Sequence, residues 1–566
     1  MQLKWWQRAV FYQIYPRSFA DGNGDGIGDF PGMIERLDYL QDLGINALWL
    51  SPHYPSPQYD CGYDVSDYTG VAPEYGTLQD FQRFLHGAHE RGMRVILDWV
   101  PNHTSDQHPW FIASKSSRMN PKRDWYVWRR GDAGQPPNNW YSAFGGPAWE
   151  YDPHTGEHYY HFFFKHQPDL NWHNPQVKRA MFDGLRFWLD QGVDGFRLDA
   201  IGTIFEDPTW TDNEGSLSQT DLYRAWRHAQ REEDRKAAWE ELDKLYRRQV
   251  EQPETHQLMQ ELRYLLDRYP DRVLVGEDDL IEYYGDGSDE LHLVFNFPLM
   301  RAQRLTPDVV RRNQAERLSQ LPPGAWPCNT LGNHDADRVF SRYADGRHDV
   351  ARAKLALALM LTLRGTPFLY YGEEIGMTDL LLTDLNSFRD NLAIWHYQME
   401  TQTLHTPHDG AVLWAARFGR DKCRTPMQWS DAPNGGFSPS DVQTWLPVNP
   451  NYALGVNVAS QLADPDSLLH FYRRLLRVRR ETPALVAGDY EPLQEDADEY
   501  LAFLRVSSAN QQTCLVVLNM SDRSHKLSLD LEADKARLVF SSTARANVVD
   551  LHSISIAPFE VLIAEW

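Results

Sequence analysis

The chain contains 566 residues, and its formal net charge is −23 with histidine counted as neutral. This length exceeds one ordinary hydrophobic core, so we expect roughly two to four folding units, although an α/β barrel alone would fill much of it. The acidic balance argues against nucleic acid and against an anionic membrane surface, and it leaves a neutral or cationic partner.

Two further features of the sequence concern the compartment. No apolar run approaches about 18 residues and the N-terminal residues contain no apolar signal segment, so we expect a cytoplasmic protein without a membrane partner. The four cysteines lie far apart without a CxxC pair, which predicts free buried thiols rather than a zinc site or a disulfide framework.

The first predicted strand, 9–15, leads into a loop, 21–29, in which oxygen-bearing side chains alternate with glycines. This spacing resembles the first half of an EF-hand loop and could wrap Ca²⁺ or Mg²⁺ as a structural ion. It is not an EF-hand, because the twelfth position is Gly32 rather than glutamate and Pro31 interrupts the helix that should follow. A plain turn of Asx and Gly residues is the alternative.

After this loop, short apolar runs alternate with amphipathic helical patterns. Nearly all-apolar strands separated by helices are typical of a parallel sheet covered on its outer face, and eight such units predict a (β/α)₈ barrel of the α/β class. The predicted strands are 9–15, 47–50, 94–100, 195–200, 272–277, 292–297, 328–335 and 367–371.

Long segments interrupt and follow this pattern. The barrel is assigned to 1–100 and 176–481, and the unusually long connection 101–175 predicts a small domain inserted between the third strand and its helix. Residues 372–454, rich in Asn, Pro and Trp, suit a lid-like insertion after the eighth strand. Short strand patterns in 482–566 predict a C-terminal antiparallel β-sandwich domain.

Polar side chains fall where four different strands end. Asp98, Asp199, Glu277 and the pair His334-Asp335 each occupy the carboxyl end of a strand, the face where barrel active sites are built. One such pair has a structural explanation, but four converging carboxylate ends would destabilise the fold unless they serve chemistry.

Two neighbouring carboxyl groups are the minimum apparatus of glycoside hydrolysis. Arg197, two residues before Asp199, should keep that carboxylate ionised. Glu277 has no basic neighbour in sequence, and surrounding carboxylates would raise its pKa, as a general acid requires. Asp335 would hold sugar hydroxyls or strain the ring. Metal catalysis by histidine and aspartate is a weaker competitor, because no two histidines have ligand spacing.

The strand-end motifs resemble the signature segments of the α-amylase superfamily, glycoside hydrolase family 13. These segments are 98–103 (DWVPNH), 195–200 (GFRLDA), 275–277 (VGE) and 333–335 (NHD). Two more, 167–171 (QPDLN) and 424–429 (RTPMQW), are similar to marks of its alpha-glucosidase and oligo-1,6-glucosidase branch.

The resemblance implies an exo-acting, retaining enzyme that releases glucose from short α-glucosides such as maltose. Asp199 would be the nucleophile, Glu277 the general acid/base and Asp335 the transition-state stabiliser. The implied glucose-binding residues, with Tyr63 as stacking platform, are Asp60, Tyr63, His103, Phe144, Phe163, Arg197, His334 and Arg420. The implied ligands of Ca²⁺ or Mg²⁺ are Asp21, Asn23, Asp25, the carbonyl of Ile27, and Asp29.

Ala200 carries a prediction about the linkage. Relatives that prefer α-1,6 links are similar to one another in having valine after the nucleophile, whereas those that prefer α-1,4 links have alanine or threonine. Ala200 therefore predicts preference for α-1,4 links.

The interval between Asp199 and Glu277 is longer than the family pattern leads us to expect. Its charged stretch 222–250 predicts one amphipathic helix with an aromatic stripe, either packed by that stripe or lining the aglycone side or a subunit contact. Two other functions remain open. One is a glucosyltransferase or sugar isomerase on the same scaffold, and the other is a non-catalytic binding or transporter-partner relative. A homo-oligomer also remains open.

Overall fold

The computed structural model describes residues 3–132 and 134–566. Its centre is a sheet of eight parallel strands in the order β7-β8-β1-β2-β3-β4-β5-β6, which confirms the predicted barrel. The strands are β1 Phe11–Ile14, β2 Ala47–Leu50, β3 Arg94–Trp99, β4 Gly195–Leu198, β5 Val273–Gly276, β6 Leu293–Val294, β7 Cys328–Thr330 and β8 Thr366–Tyr370.

Both faces of these strands are buried, which explains their continuous apolar sequences. Inside the barrel the rings of Phe11 and Phe368 stack with centroids 4.3 Å apart, and Trp49 packs on the same cluster. The helices along the barrel segments are Phe30–Glu35, Leu37–Leu43, Leu78–Glu90, Pro175–Asp190, Glu254–Leu266, Phe297–Met300, Pro307–Gln320, Val339–Tyr343, Asp349–Thr362 and Leu468–Glu481.

The connection between β3 and the helix Pro175–Asp190 folds around its own aromatic core. It contains the helix Pro109–Ser116 and three antiparallel strands. The strands are Trp128–Arg129, Trp149–Asp152 and Glu157–Tyr160. Trp140, Trp149 and Tyr160 pack together at its centre. The insertion therefore builds a wall after β3, at the carboxyl end of the barrel.

The C-terminal region is antiparallel, as predicted. Along its strand Gln512–Asn519, Leu515 and Val517 face one apolar cluster, whereas Val516 and Leu518 face the core shared with the barrel. This alternation is that of a sheet buried on both sides. A six-stranded and a two-stranded sheet contain Asp489–Leu493, Tyr500–Ser507, Gln512–Asn519, His525–Leu527, Lys535–Ser541, Val548–Asp550, Ile554–Ile556 and Val561–Glu565.

The prediction of a single helix over 222–250 is wrong. The chain forms two helices, Gln219–His228 and Glu232–Tyr246, because the backbone leaves helical geometry at Ala229 (φ −59°, ψ 119°). The residues of the predicted aromatic stripe therefore lie on two different helices. Trp226 packs on Phe418 with ring centroids 5.2 Å apart, whereas Trp239 on the second helix is 56% exposed.

The segment after β8 supplies further helices above the barrel: Asn391–Gln398, His408–Phe418 and Val458–Ala463. All four cysteines are free and buried. Within residues 3–132 and 134–566, every helix is too short or too polar to cross a membrane. The cytoplasmic location stays a prediction.

Candidate active site

One buried guanidinium joins three carboxylates from three neighbouring barrel strands. The Nη1 atom of Arg197, inside β4, is 2.7 Å from an oxygen of Asp98 and 2.5 Å from an oxygen of Asp199. Its Nη2 atom is 2.7 Å from an oxygen of Glu277, the residue after β5. Side chains alternate along a strand, so Arg197 and Asp199 share one side, as predicted. We call these four residues the Arg197 cluster.

The members of the Arg197 cluster differ in how far their side chains are exposed at the mouth of the barrel, where a substrate would bind. The side chain of Arg197 is only 1% exposed, whereas those of Asp199 and Glu277 are 11% and 21% exposed. The guanidinium is therefore sealed beneath the two carboxylates that can reach a ligand.

Burial raises the pKa values of two carboxylates in the Arg197 cluster. Burial raises the pKa of Asp199 well above its usual range, against the guanidinium of Arg197 and with the added repulsion of Glu277. Burial likewise raises the pKa of Asp98 to about 6 despite its ion pair with Arg197. The Arg197 cluster therefore favours holding a proton among its carboxylates.

This geometry differs from two expectations drawn from sequence neighbours. The pKa of Asp199 lies above its usual range, because burial outweighs the guanidinium of Arg197. Glu277 does have a basic partner, since Arg197 reaches it from the adjacent strand. Sequence adjacency showed only one of the three contacts that a single guanidinium makes.

A second charged group forms the other side of the pocket. An Nη2 of Arg420 lies 2.7 Å from Asp60 and 2.7 Å from Asp390, and Nη2 of Arg424 lies 2.5 Å from Asp335. We call these five residues the Arg420 cluster. It comes from the loops after β2, β7 and β8, so three connections meet over the barrel mouth.

The Arg420 cluster contains two cations and three carboxylates, and the pKa values of two of these carboxylates lie below their usual range. Burial alone would raise the pKa of Asp335, but His334, Arg424 and Arg420 outweigh it and hold that pKa well below its usual range. Against burial, Arg420 lowers the pKa of Asp390 to about 2. Asp335, with 33% of its side chain exposed, thus offers a fixed negative charge to the pocket.

Two histidines present neutral rings beside these carboxylates, because burial lowers the pKa of His334 to about 3 and that of His103 to about 4. Gln13 donates to Nδ1 of His334 at 2.7 Å, which leaves Nε2 of that ring to donate to the Tyr63 hydroxyl, 2.5 Å away. The ring of Tyr63 stacks on His334 at 5.3 Å, and its hydroxyl lies 3.1 Å from Asp98.

Phe144 and Phe163 extend this wall from the inserted domain. Their ring centroids are 5.2 Å apart, Phe163 lies 5.3 Å from His103, and the guanidinium of Arg420 lies 5.4 Å from the Phe144 ring. The structure thus brings all the predicted glucose-binding residues to one mouth.

Ala200 has a backbone conformation that is unusual for alanine. Its φ and ψ are 43° and 49°, in the left-handed region, and its N–H donates to Oε2 of Glu277 at 2.9 Å. A non-glycine residue here costs about 1 kcal/mol. The strained turn after Asp199 thereby holds the carboxyl group of Glu277 beside that of Asp199.

The loop predicted to hold a metal is organised by backbone amides. Asp21 accepts from the N–H groups of Gly24 and Gly26, and Asp29 accepts from Gly22, Asn23 and Gly32. Asp25 accepts from Ile27 N–H at 2.9 Å. The side-chain oxygens of this loop are the type of ligand that Ca²⁺ and Mg²⁺ prefer. Across the described residues, however, no group of three or more His, Cys, Asp or Glu side chains could hold a metal.

Three site residues lie outside the predicted set. Asp390 comes from the long segment after β8, where no periodic pattern marks it, and Arg424 opens the recognised motif 424–429 without having been assigned to the site. Gln167 lies in a recognised motif, and its amide nitrogen donates to Asp60 at 3.0 Å and lies 2.9 Å from Nε2 of His103. A buried amide with carboxylate and histidine partners positions both, a role that only the contacts reveal.

Comparisons with known proteins agree with this geometry. The family model of the alpha-amylase catalytic domain matches residues 13–488. An oligo-1,6-glucosidase of Parageobacillus thermoglucosidasius is 38% identical, over 100% of this chain and 99% of that protein. A probable alpha-glucosidase of Rhizobium meliloti is 40% identical, over 93% of this chain and 91% of that protein. The trehalulose synthase of Pseudomonas mesoacidophila superposes with a TM-score of 0.88 at 36% identity, covering 100% of both chains. The chain therefore belongs to the alpha-amylase family of glycoside hydrolases.

Proposed function

We propose that this chain is a retaining, exo-acting α-glucosidase that releases glucose from the non-reducing end of short α-glucosides. The observation that carries the proposal is the placement of Asp199 and Glu277 on adjacent amino groups of one guanidinium. Retaining enzymes need two carboxyl groups roughly 5–5.5 Å apart, so they must lie close together, as two partners of one guanidinium do.

The proposed reaction uses the Arg197 cluster twice. Asp199 attacks the anomeric carbon while Glu277 protonates the departing oxygen, and a glucosyl ester forms on Asp199. Glu277 then takes a proton from water as the water oxygen attacks the same carbon and the ester bond breaks.

In this proposal the Arg420 cluster binds the glucose unit. Asp60 and Arg420 would bind the hydroxyls farthest from the cleaved bond, and Asp335 would strengthen its bonds as charge develops on the ring. The packing of Phe144 against Arg420 supports an exo-acting pocket closed at that end.

We propose α-1,4 preference from Ala200. Its methyl group leaves more space next to Asp199 than a valine would, and this supports a differently angled aglycone. The test is kcat/KM for maltose against isomaltose, first in the parent chain and then in Ala200→Val, with Ala200→Gly as control. We expect maltose to be favoured in the parent and the ratio to move toward isomaltose in Ala200→Val. A parent that prefers isomaltose would contradict the proposal.

Glucosyl transfer or sucrose isomerisation is the second candidate. The similarity to a trehalulose synthase over the whole chain favours it. Both reactions share the glucosyl ester on Asp199 and differ in the acceptor. Sugar products formed from concentrated maltose and from sucrose distinguish them: glucose alone indicates hydrolysis, tri- and tetrasaccharides indicate transfer, and rearranged disaccharides indicate isomerisation.

We also propose that loop 21–29 takes Ca²⁺ or Mg²⁺ as a structural ion. The alternating oxygen side chains support this, although their carboxylates already accept backbone N–H groups. Elemental analysis of purified protein and thermal unfolding with and without a chelator test it. We expect one bound ion and a lower Tm after chelation, both absent in Asp25→Ala. If the purified chain contains no metal and its Tm does not change with the chelator, loop 21–29 is a plain turn and not a metal site.

A further inference from the structure

The turn that carries Asp335 is held by the segment after β8. Nε of Arg424 donates to the carbonyl oxygen of His334 at 2.8 Å, and Nη2 of the same guanidinium lies 2.5 Å from Oδ1 of Asp335. Sγ of Cys423 lies 3.2 Å from the same carbonyl oxygen. Arg424 thus contacts two successive residues, the first through its main chain and the second through its side chain. Together these contacts fix both the position and the rotation of the Asp335 carboxyl group.

Arg424 is itself held in place by the short helix Pro16–Phe19, which follows β1. The carbonyl oxygen of Arg424 accepts from the hydroxyl of Ser18, and that hydroxyl accepts from the Trp445 indole at 2.9 Å. The guanidinium of Arg424 lies 5.4 Å from the centre of the Tyr15 ring. Because its main chain and one face of its guanidinium are both fixed, Arg424 can hold a carboxylate in one direction.

The two arginines of the Arg420 cluster differ in their access to a substrate. The side chain of Arg420 is 11% exposed and that of Asp335 is 33% exposed, whereas that of Arg424 is 0% exposed. Arg420 also lies beside the Phe144 ring at the wall of the pocket, so it can meet a sugar directly. Arg424 can act on a sugar only through Asp335.

These contacts leave one oxygen of Asp335 for the substrate. Arg424 holds Oδ1, while Oδ2 lies 3.3 Å from Nε2 of His334. A carboxylate that stabilises developing charge must meet that charge in one geometry, and a displacement of about 1 Å can cost about 100-fold in rate. The direction of Oδ2 therefore matters as well as its charge.

We propose that Arg424 is the positioning residue of Asp335: it holds the carboxyl group in the direction that the transition state requires and does not touch the substrate. The inference rests on the proposed α-glucosidase function, in which Asp335 strengthens its bonds as charge develops on the ring. Direction and charge can be separated by one substitution. Lysine keeps the positive charge, but its ammonium group cannot hold the carbonyl of His334 and the carboxylate of Asp335 as the planar guanidinium does.

The experiment measures kcat and KM on maltose for Arg424→Lys and for a matched control, Arg479→Lys. Arg479 is also buried, at 1% exposed, but within the described residues it donates only to backbone carbonyl oxygens. We expect Arg424→Lys to lower kcat about 100-fold with KM within about threefold of the parent, because the lost interaction belongs to the transition state. Both substitutions should lower Tm, and Arg479→Lys should keep the kcat of the parent.

A double variant tests whether Arg424 acts through Asp335 alone. Asp335→Asn by itself should lower kcat by about 100- to 1,000-fold. Adding Arg424→Lys should lower kcat no further, because no carboxylate is left to direct. If Arg424→Lys does not fold, Arg424→Gln keeps a donor without the charge, and its effect should likewise disappear when Asp335 is replaced.

Four outcomes overturn the inference. An unchanged kcat in Arg424→Lys, or losses that multiply in the double variant, would show that Arg424 does not act through Asp335. A raised KM with unchanged kcat would show that Arg424 binds the sugar itself. An equal loss of kcat in Arg479→Lys would assign the effect to any buried lysine. A parent chain that releases no glucose from maltose would instead overturn the α-glucosidase function, and the inference with it.

Discussion

The two charged sides of the pocket use the same residue types in different ratios. The Arg197 cluster places three carboxylates around one guanidinium, whereas the Arg420 cluster places three around two. Burial raises pKa values in the first, and the extra cation keeps two carboxylates ionised in the second. Asp199 and Asp98 are therefore suited to exchanging protons, whereas Asp335 and Asp390 present fixed charge. Residue type does not decide this difference, since all four are aspartates.

The largest expected effects come from removing the reactive carboxylates of the Arg197 cluster. Asp199→Asn should lower kcat on maltose by about 10⁴–10⁶, and Glu277→Gln by about 10²–10⁴. A substrate whose leaving group needs no proton, α-glucosyl fluoride, separates the two roles. It should restore the first, glucose-transferring step in Glu277→Gln but not in Asp199→Asn. Equal rescue of both variants would contradict the assigned roles.

The Arg420 cluster predicts a large effect on stability. The pKa of Asp390 is about 2 in the fold, below the value of about 3.9 expected in the unfolded chain. A lowered pKa stabilises the fold above the unfolded value and loses that stabilisation as pH falls toward the folded one. Asp390→Asn should thus lower the free energy of unfolding at pH 7 by about 2–3 kcal/mol.

Urea unfolding of Asp390→Asn and parent at several pH values checks this, and the difference should narrow below about pH 4. A difference that stays constant from pH 7 to pH 3 would show that the ionisation of Asp390 does not stabilise the fold.

A smaller effect concerns the pH dependence of activity. Asp98 raises the pKa of Asp199, so Asp98→Asn should move the acid limb of the kcat/KM profile to lower pH. Asp60→Asn, in the Arg420 cluster, should reduce kcat/KM without moving that limb. If both variants move the limb alike, the two clusters do not titrate separately.

The smallest effect tests the strain that holds the Arg197 cluster together. Ala200→Gly should raise the free energy of unfolding by about 0.5–1 kcal/mol, because glycine adopts a positive φ without the penalty that alanine bears. Ala237→Gly, in the exposed middle of a helix, should lower it by about 1 kcal/mol. Denaturant unfolding measures both, and a loss of stability in Ala200→Gly would mean that the turn is not strained.

Much of the Arg197 cluster could be predicted from the sequence. Barrel strands are short and apolar, so a charged residue at a strand end is conspicuous, and parallel strands bring their carboxyl ends together. What strand patterns do not reveal is how one guanidinium divides its contacts. This is why the sequence suggested an ionised Asp199 and a Glu277 without a cation.

The Arg420 cluster was harder to predict. Arg420 and Asp60 followed from family resemblance, and Arg424 lies in a recognised motif, but Asp390 lies in a loop whose path depends on tertiary packing. The same limit explains the wrong helix over 222–250. Its amphipathic pattern continues through Ala229, whereas in the structure the two helices separate there and only Trp226 packs against the segment after β8.

The central claim is that Asp199 carries a covalent glucosyl group during turnover. The direct measurement is the mass of Glu277→Gln after mixing with α-glucosyl fluoride, followed by peptide mapping, because this variant should form the ester and hydrolyse it slowly. We predict an added mass of one glucosyl residue on the peptide that contains Asp199, and no addition in the double variant that also carries Asp199→Asn. A label on another residue, or release of β-glucose without any label, would contradict the account.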